Sequence, residues 1–133
     1  MDCIFCKIIN KEIPNYTVYE DENVLAFLDI FPCAKGHTVV VPKKHFENVW
    51  SMNIETFQTL SAGLRAAAGR IQAKLNPDGM NIGMNNEKMA GQAVPHVHWH
   101  IMPRYNGDGG GSMHSIIKNS GDKTPAELAE LFK

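Results

Sequence analysis

The 133-residue sequence has no apolar run that approaches the ~20 residues needed to cross a bilayer, and its first residues lack the charged-then-apolar order of a secretory signal. It also lacks an excess of positive charge, because 13 lysines and arginines face 14 acidic residues and leave a formal net charge of -1. These absences argue against a membrane protein and against binding of nucleic acid through a broad basic surface. We therefore expect a cytoplasmic protein.

Cysteine is also scarce, with only Cys3, Cys6 and Cys33 present. An odd number of cysteines without a secretory signal argues against a disulfide framework and favours a metal site or free thiols. The two-residue gap between Cys3 and Cys6 lets both thiolates reach one metal ion, and a redox pair is the main alternative. Cys33 is expected to be a small apolar filler, and the irregularly spaced methionines at 80, 84, 89, 102 and 113 are expected to fill the core.

The chain does contain enough apolar residues, 44%, for one hydrophobic core, which predicts a single domain over residues 1–133. Apolar residues at steps of three and four predict an amphipathic helix over Ile54–Leu75, with Asn53 as its N-cap. Runs rich in β-branched and aromatic residues predict strands on both sides of this helix. The predicted strands are Thr17–Tyr19, Val24–Leu28, His37–Val41, Met80–Met84 and Val97–Met102.

This order of elements, with tight turns between the strands, predicts an α+β fold with an antiparallel sheet. A short C-terminal helix is predicted after Thr124, which forms a capping box with Glu127 and is followed by Pro125 at the first helical position. The glycine-rich segment 106–112 is predicted to be a mobile loop.

The most informative motif alternates His96, His98 and His100 with apolar residues on a predicted strand. Side chains of a strand point alternately to its two faces, so the three imidazoles should share one face and the apolar residues should face the core. Three neighbouring imidazoles need partners, which indicates metal binding or catalysis. The spacing leaves two interpretations open: a catalytic zinc bound by the triad, or one neutral imidazole that attacks phosphorus.

The flanking segments make the sequence resemble the histidine triad (HIT) family, whose signature is three histidines separated by apolar residues. The likeness covers nearly the whole chain and includes residues 27–30, 35–45, 91–95 and 103–105. With two cysteines near the N-terminus, the sequence is most similar to the short, zinc-carrying bacterial branch. The resemblance implies an antiparallel meander sheet with one long central helix and short terminal helices. It also implies a homodimer whose meanders join, with a purine nucleotide site on each subunit.

The resemblance further implies roles for individual residues. His98 matches the nucleophile that forms a covalent nucleotidyl-histidine intermediate, while the backbone carbonyl of His96 accepts the proton of the other ring nitrogen. Imidazole protons beside the phosphate offset charge that develops on its oxygens. The implied catalytic set is His98, His100, His37 and Gln92. The implied nucleotide contacts are Phe27, Asp29, Ile30, Asn85, Gln92, Ala93, His98 and His100.

The resemblance also adds His45 and His96 to Cys3 and Cys6 as ligands of a structural zinc with no position open for water. His96 would connect the metal to the segment that carries His98. The N-terminal segment is expected to have little apolar surface of its own, so the metal should be what holds it in place.

These expectations together describe a nucleotide hydrolase or transferase that acts at the α-phosphorus of nucleoside phosphoramidates or dinucleoside polyphosphates, with no metal in the chemical step. Ala93 is the main departure, because many relatives carry a hydroxyl residue there and one hydrogen bond to the phosphate or leaving group is therefore lost. This departure keeps an alternative open, in which the protein is a nucleotide-binding interaction module with little turnover.

Overall fold

The structure, a computed structural model, describes residues 2–133. Within them the chain forms three α-helices and five β-strands, joined by turns and short 3-10 segments. In chain order these are α1 (Ile4–Ile9), β1 (Thr17–Glu20), β2 (Val24–Leu28), β3 (Thr38–Pro42), α2 (Ile54–Leu75), β4 (Gly79–Gly83), β5 (Trp99–Arg104) and α3 (Pro125–Ala129). No helix within residues 2–133 combines the length and the apolar character needed to cross a membrane.

The five strands form one antiparallel sheet in the order β1-β2-β3-β5-β4. The first three strands form a meander, as the tight turns between them predict. After α2 the chain adds β4 as an edge strand, and β5 then returns between β3 and β4. The predicted α+β class with an antiparallel sheet and one long helix is therefore confirmed, and the strand that carries His100 lies inside the sheet.

Helix α2 has the predicted bounds because both of its ends are capped. The side chain of Asn53 accepts a hydrogen bond from the Thr56 N–H, and Asn76 ends the helix in the left-handed conformation with φ of 48°. The apolar stripe of α2 packs on one face of the sheet and forms the larger core. This core is built from Val24, Ala26, Val40, Met52, Leu60, Ala67, Ile71, Val97 and Ile101.

Gly63 allows α2 to lie close to the sheet. A Cβ atom at this position would be 2.5 Å from Cγ1 of Val24 on β2, which is closer than two carbon atoms can pack. A residue without a side chain therefore sets the distance between the long helix and the central strands.

The opposite face of the sheet is covered by α1, whose Phe5 and Ile8 are three residues apart and so share one side of the helix. These two side chains are buried against Leu25, Phe27, Val39 and Val41. The expectation that the N-terminal segment has little apolar surface of its own is therefore wrong. The helix has a packed apolar face in addition to any metal that it binds.

The triad segment alternates as predicted, but strand β5 begins at Trp99, two residues later than predicted. The N–H of Val97 donates at 2.7 Å to the carbonyl of Phe46, which lies in the loop after β3 and not in a neighbouring strand. Val97 and Ile101 are buried in the core under α2, while His96 and His98 lie on the face that α1 covers. Smaller shifts of one residue affect the ends of β1, β3 and β4.

Two other expectations concern the glycine-rich segment and Cys33. Arg104 donates to both carboxylate oxygens of Asp108 at 2.8 Å and also to Asn81 and the carbonyl of Gly111. The glycine-rich segment 106–112 is thus anchored to the sheet at Asp108 and Gly111, and its mobility stays a prediction. Cys33 is exposed and does not fill the core.

Candidate functional site

Four potential metal ligands converge between α1, the loop after β3 and the segment before β5. The Sγ of Cys3 lies 3.4 Å from Nδ1 of His96, and the Sγ of Cys6 lies 3.4 Å from Nδ1 of His45. The two Nδ1 atoms are 3.1 Å apart, and Cys6 Sγ is 3.6 Å from His96. The ligand atoms of this group all lie within 4.8 Å of one another.

These separations fit the corners of one tetrahedron. A zinc ion with bonds of about 2.0–2.1 Å to nitrogen and about 2.3 Å to sulfur places neighbouring ligand atoms roughly 3.3–3.8 Å apart. The protonation pattern of His96 also fits, because its Nε2 lies 2.8 Å from the carbonyl of Pro42 and donates to it. Its Nδ1 then carries the lone pair that a metal needs. Cys3, Cys6, His45 and His96 are therefore a Cys₂His₂ group that could bind one metal ion.

The tautomer of His98 is defined by the backbone. Its Nδ1 lies 2.7 Å from the carbonyl of His96, which can only accept, so Nδ1 carries the proton. In the neutral ring the lone pair is then on Nε2. Burial lowers the pKa of His98 below its ordinary value, which keeps the ring neutral at physiological pH. A neutral, oriented imidazole with a free lone pair can act as a nucleophile.

A chain of two hydrogen bonds defines the tautomer of His100. The backbone N–H of Cys33 donates at 3.1 Å to Nδ1 of His37, so the proton of His37 is on Nε2. This Nε2 lies 2.9 Å from Nδ1 of His100, which must accept. His100 therefore carries its own proton on Nε2, beside His98, whose ring centre is 4.8 Å away. The ring of His100, which carries this N–H donor, thus lies beside the ring of His98.

Burial is the main cause of low pKa values across this cluster. Burial, together with the neighbouring His98 and His37, lowers the pKa of His100 to about 4. Burial also lowers the pKa of His37, although the Asp29 carboxylate partly opposes this effect. The histidines around the candidate nucleophile are therefore neutral hydrogen-bonding groups near pH 7.

Asp29, His37 and His100 form a second group with ligand atoms close enough for a metal ion. The hydrogen bonds argue against a metal there. Nδ1 of His37 accepts from a backbone N–H, so a metal on its Nε2 would require the ring to lose its only proton. Nδ1 of His96 lies beside Cys3 and His45, so the triad does not converge on one metal. Of the two interpretations left open by the spacing of the triad, this geometry favours the nucleophilic imidazole over the catalytic zinc.

Phe5 is a site residue that the sequence reasoning missed. Its ring packs edge-on against His98, with ring centres 5.0 Å apart and an angle of 85° between the planes. It also packs against Phe27 at 5.7 Å. The three-residue spacing of Phe5 and Ile8 was a signal for a packed helix, but a segment of six residues is too short for periodicity to be conclusive.

The residues expected to hold the nucleoside lie on the β2 side of His98. Phe27 is buried, whereas Ile30 is 70% exposed in the loop that follows β2. One carboxylate oxygen of Asp29 accepts from the N–H of Phe31 at 2.8 Å, and the other is 3.7 Å from Nε2 of His37. The second oxygen is therefore the one available to a ligand.

The loop before the triad contains the other predicted contacts. Asn85 is next to Gly91, where a Cβ atom would be 3.7 Å from its side-chain nitrogen. Both polar atoms of the Gln92 side chain bind backbone groups, since Oε1 accepts from Glu87 N–H and Nε2 donates to the Glu47 carbonyl. In this structure Gln92 thus braces the loop, and its contact with a phosphate stays a prediction. Ala93 is exposed.

A model of the HIT domain matches residues 10–107, about three quarters of the chain. The chain belongs to the HIT family. Cys3 and Cys6 precede the matched residues, so membership of the family does not by itself imply the metal site.

Relatives of this HIT protein cover most of its length. An uncharacterized HIT-like protein of Methanocaldococcus jannaschii is 53% identical, over 88% of this chain and 90% of that protein. A crystal structure of a HIT family member from Bacillus subtilis is 42% identical and has a TM-score of 0.86, with 99% of this chain and 93% of that chain covered. A relative from Schizosaccharomyces pombe, described as an adenosine 5′-monophosphoramidase, is 38% identical over 80% of this chain and 77% of its own length.

A cavity of about 450 Å³ lies beside His100 in this HIT protein. Three of the methionines assigned to the core from sequence, Met84, Met102 and Met113, line it, so that assignment is incomplete. Its wall also includes Asn85, His100, Arg104 and the anchored glycine-rich segment.

Proposed function

We propose that this HIT protein is a nucleotide hydrolase or transferase that acts at the α-phosphorus of purine nucleotides through a covalent nucleotidyl-histidine. The observation that carries the proposal is the hydrogen bond from Nδ1–H of His98 to the His96 carbonyl, which leaves the Nε2 lone pair free to attack. The relative described as an adenosine 5′-monophosphoramidase supports the same class of reaction.

The proposed reaction has two steps. Nε2 of His98 forms a bond to phosphorus, and the bond to the leaving group breaks with its electron pair on the leaving atom, which takes a proton from water. Water then attacks phosphorus and loses a proton. The bond between phosphorus and Nε2 breaks, and its electron pair returns to Nε2. The Nε2–H of His100 donates to a phosphoryl oxygen as charge develops on it. Gln92 lies beside the same phosphate. It contacts the phosphate with its own amide or positions the backbone that does.

The nucleoside would be held on the other side of His98. The free carboxylate oxygen of Asp29 accepts from the ribose hydroxyls, while Phe27 and Ile30 provide apolar surface for the base. Asn85 and the backbone N–H of Ala93 contribute hydrogen bonds to the phosphate or the leaving group. Because apolar surface reads shape more than exocyclic groups, adenine and guanine nucleotides should bind with similar affinity.

A structural zinc held by Cys3, Cys6, His45 and His96 completes the proposal, and it links this protein to the short bacterial branch of the family. With four protein ligands the metal has no open position, so its contribution is to fix the His96 segment. We also propose a homodimer whose meander sheets join, since the outer edges of β1 and β4 have no partner strand within residues 2–133.

The test is turnover of a fluorogenic phosphoramidate of AMP by the wild type and by His98→Ala. We expect the variant to lose turnover while its affinity for AMP is largely kept, because Asp29 and the base slot still bind the nucleoside. Exposed His114 supplies the matched control, His114→Ala, which should keep wild-type turnover. If His98→Ala keeps more than about a tenth of wild-type turnover, a barrier change under about 1.4 kcal/mol, His98 is not the nucleophile.

The alternative is a nucleotide-binding interaction module, and the exposed Ala93 in place of a hydroxyl residue favours it. Tight binding of AMP without measurable release of the fluorogenic amine by the wild type would support this alternative. Immediate loss of turnover on addition of a chelator, without unfolding, would instead support a catalytic metal on the triad.

A further inference from the structure

The turn that carries Cys3 and Cys6 also carries Phe5, the residue that packs against His98. Cys3 is the N-cap of α1, and its Sγ accepts a hydrogen bond from the N–H of Cys6 at 3.4 Å. Phe5 lies between the two cysteines, and its ring centre is 5.0 Å from that of His98. A change in the covalent state of the thiols therefore acts on a segment that touches the proposed nucleophile.

A second connection between the thiols and His98 runs through His96. Nδ1 of His96 lies 3.4 Å from Sγ of Cys3 and 3.6 Å from Sγ of Cys6. The carbonyl of the same histidine accepts the hydrogen bond from Nδ1 of His98 at 2.7 Å. The ring of Phe5 also packs on His96, with ring centres 5.9 Å apart. The two groups that orient His98 are thus both neighbours of the cysteine pair.

The two thiols are placed so that they can react with each other. Cysteines separated by two residues at the start of a helix are typical of dithiols that oxidise to a disulfide. The two sulfur atoms lie within 4.8 Å of each other. Cys3 is 5% exposed, whereas Cys6 is partly exposed and is the thiol that an oxidant reaches first. Burial, with Cys3 beside it, raises the pKa of Cys6, so we expect the reaction to need an excess of oxidant.

The histidines beside the pair keep a hydrogen-bond partner after the thiols have reacted. Nε2 of His96 donates to the carbonyl of Pro42 at 2.8 Å, so its Nδ1 is an acceptor. Nδ1 of His45 lies 3.1 Å from this atom and can donate to it. Helix α1 also keeps its apolar contacts with the sheet. We therefore expect the oxidised protein to remain folded.

We propose that Cys3 and Cys6 are an oxidisable pair, which hydrogen peroxide converts into an intramolecular disulfide. The disulfide shifts Phe5 and the His96 segment, and the ring of His98 moves with them. It also removes two of the four ligands of the proposed zinc, so a bound metal is released. Only the effect on turnover rests on the function proposed above, to which the pair adds regulation by an oxidant.

The reaction has two steps, and water is its only by-product. Sγ of Cys6 attacks one oxygen of the peroxide, the O–O bond breaks, and the sulfur becomes a sulfenic acid. The released hydroxide takes the proton of the thiol and leaves as water. Sγ of Cys3 then attacks the sulfur of Cys6, the S–O bond breaks, and the second hydroxide leaves as water with the proton of Cys3. The pair has then lost two electrons, which dithiothreitol can return.

The first test maps the disulfide in protein that carries Cys33→Ser, in which the pair supplies all the thiols. The protein is treated with excess peroxide, which catalase then removes. The N-terminal tryptic peptide that ends at Lys7 should have lost two hydrogens and should react with iodoacetamide only after dithiothreitol is added. A chromogenic chelator measures the zinc that is released. Cys3→Ser in the same background is the matched control and should give no such peptide, because Cys6 then has no second thiol in its chain.

A spectroscopic measurement reports on His98 independently of turnover. The Cε1–H signal of His98 in the NMR spectrum is assigned by its absence in His98→Ala. It should shift when the pair is oxidised and return with dithiothreitol, because a nearby aromatic ring affects such signals, whereas the signal of exposed His114 should stay in place. In Phe5→Leu the disulfide should still form, but the shift at His98 should be at least about twofold smaller.

Turnover of the fluorogenic phosphoramidate should fall about threefold or more on oxidation and recover with dithiothreitol, because a displaced nucleophile reacts more slowly. Absence of the disulfide in excess peroxide would overturn the inference, as would a disulfide that leaves the His98 signal unchanged. Unfolding of the oxidised protein would overturn it as well. A reversible shift at His98 in a protein that never turns over a phosphoramidate would refute the proposed function and leave the oxidisable pair intact.

Discussion

Glu87 has backbone angles of φ 73° and ψ 157°, a region that is almost exclusive to glycine. Two contacts keep it there: its N–H donates to Gln92 at 2.8 Å, and its carboxylate accepts from Asn48 at 2.6 Å. Strain of this kind persists only where the surrounding structure enforces it. The hydrogen bonds to Gln92 and Asn48 therefore keep the loop before the triad in a strained backbone conformation.

This strain leads to a prediction for a pair of variants. Glu87→Ala loses the hydrogen bond to Asn48 and keeps the backbone strain, whereas Glu87→Gly loses the hydrogen bond and also relieves the strain. The glycine variant should therefore be more stable than the alanine variant by about 1 kcal/mol or more. Urea unfolding of the two proteins measures the difference. Neighbouring Lys88 begins a 3-10 turn, and there the order should reverse, with Lys88→Ala more stable than Lys88→Gly. The same order at both positions would contradict the assignment of strain.

The neutral state of His100 predicts how stability changes with pH. Its pKa is lowered from 6.5 to about 4 in the folded protein, chiefly by burial, so the unfolded chain binds the proton first as the pH falls. The stability that this histidine contributes is complete above pH 6.5 and is lost between 6.5 and about 4. His100→Asn should therefore lose less free energy of unfolding over this range than the wild type. Urea unfolding gives the free energy of unfolding at each pH, and its plot against pH should be parallel for the wild type and for His114→Asn. A plot for His100→Asn that is parallel to that of the wild type would refute the prediction.

Helix α2 contains two glycines in different surroundings. Gly63 faces Val24 at contact distance, whereas a Cβ atom at Gly69 would meet nothing within 4 Å. The same substitution should therefore have opposite effects at these two positions of one helix.

Gly63→Ala should destabilise the protein by about 1–3 kcal/mol, because the new methyl group forces α2 away from β2. Gly69→Ala should stabilise it by about 0.5–1 kcal/mol, because alanine has the higher helix propensity. The free energies of unfolding of the two variants and the wild type check both values. Stabilisation by both substitutions would mean that the helix can move away from the sheet at little cost.

The elements show which features were readable from the sequence. The bounds of α2 were predicted correctly because its caps, Asn53 and Asn76, act on neighbouring residues. The start of β5 was not predicted correctly, because it depends on whether Val97 pairs with a strand or with the loop at Phe46. Phe46 is distant from Val97 in sequence. The anchoring of the glycine-rich segment by Arg104 was missed for the same reason, since composition indicates flexibility and says nothing about a partner elsewhere.

The candidate site follows the same division. Alternation of the triad and the two-residue gap between Cys3 and Cys6 are local patterns, whereas His45 and His96 were expected as ligands only from the resemblance to the family. The structure brings these four ligands together. The contact of Phe5 with His98, the bracing role of Gln92 and the cavity lined by methionines all depend on how distant segments pack. Neither residue type nor spacing could have indicated them.

For the whole molecule, we predict one zinc per chain and a variant that separates its structural role from chemistry. Cys3→Ser with Cys6→Ser should remove the metal, lower the melting temperature and reduce turnover only in part, because His98 remains and α1 still buries Phe5 and Ile8. Cys33→Ser, at an exposed cysteine outside the group, should keep the zinc content and the melting temperature. Mass spectrometry of metals after purification without chelators gives the stoichiometry. Zinc well below one equivalent, together with an unchanged melting temperature in the double variant, would exclude the structural zinc.

The ligand set also has a consequence for the newly synthesised chain. Cys3 and His96 are separated by 93 residues, although their ligand atoms are 3.4 Å apart in the folded protein. At a synthesis rate of about 5–20 residues per second, the ribosome needs roughly 5–20 s after the cysteines to add His96. For part of that interval we expect the two thiols to be without their full set of partners and open to oxidants and to other thiophilic metals. We therefore expect the thiols of the proposed zinc site to meet other metals before their fourth ligand has been synthesised.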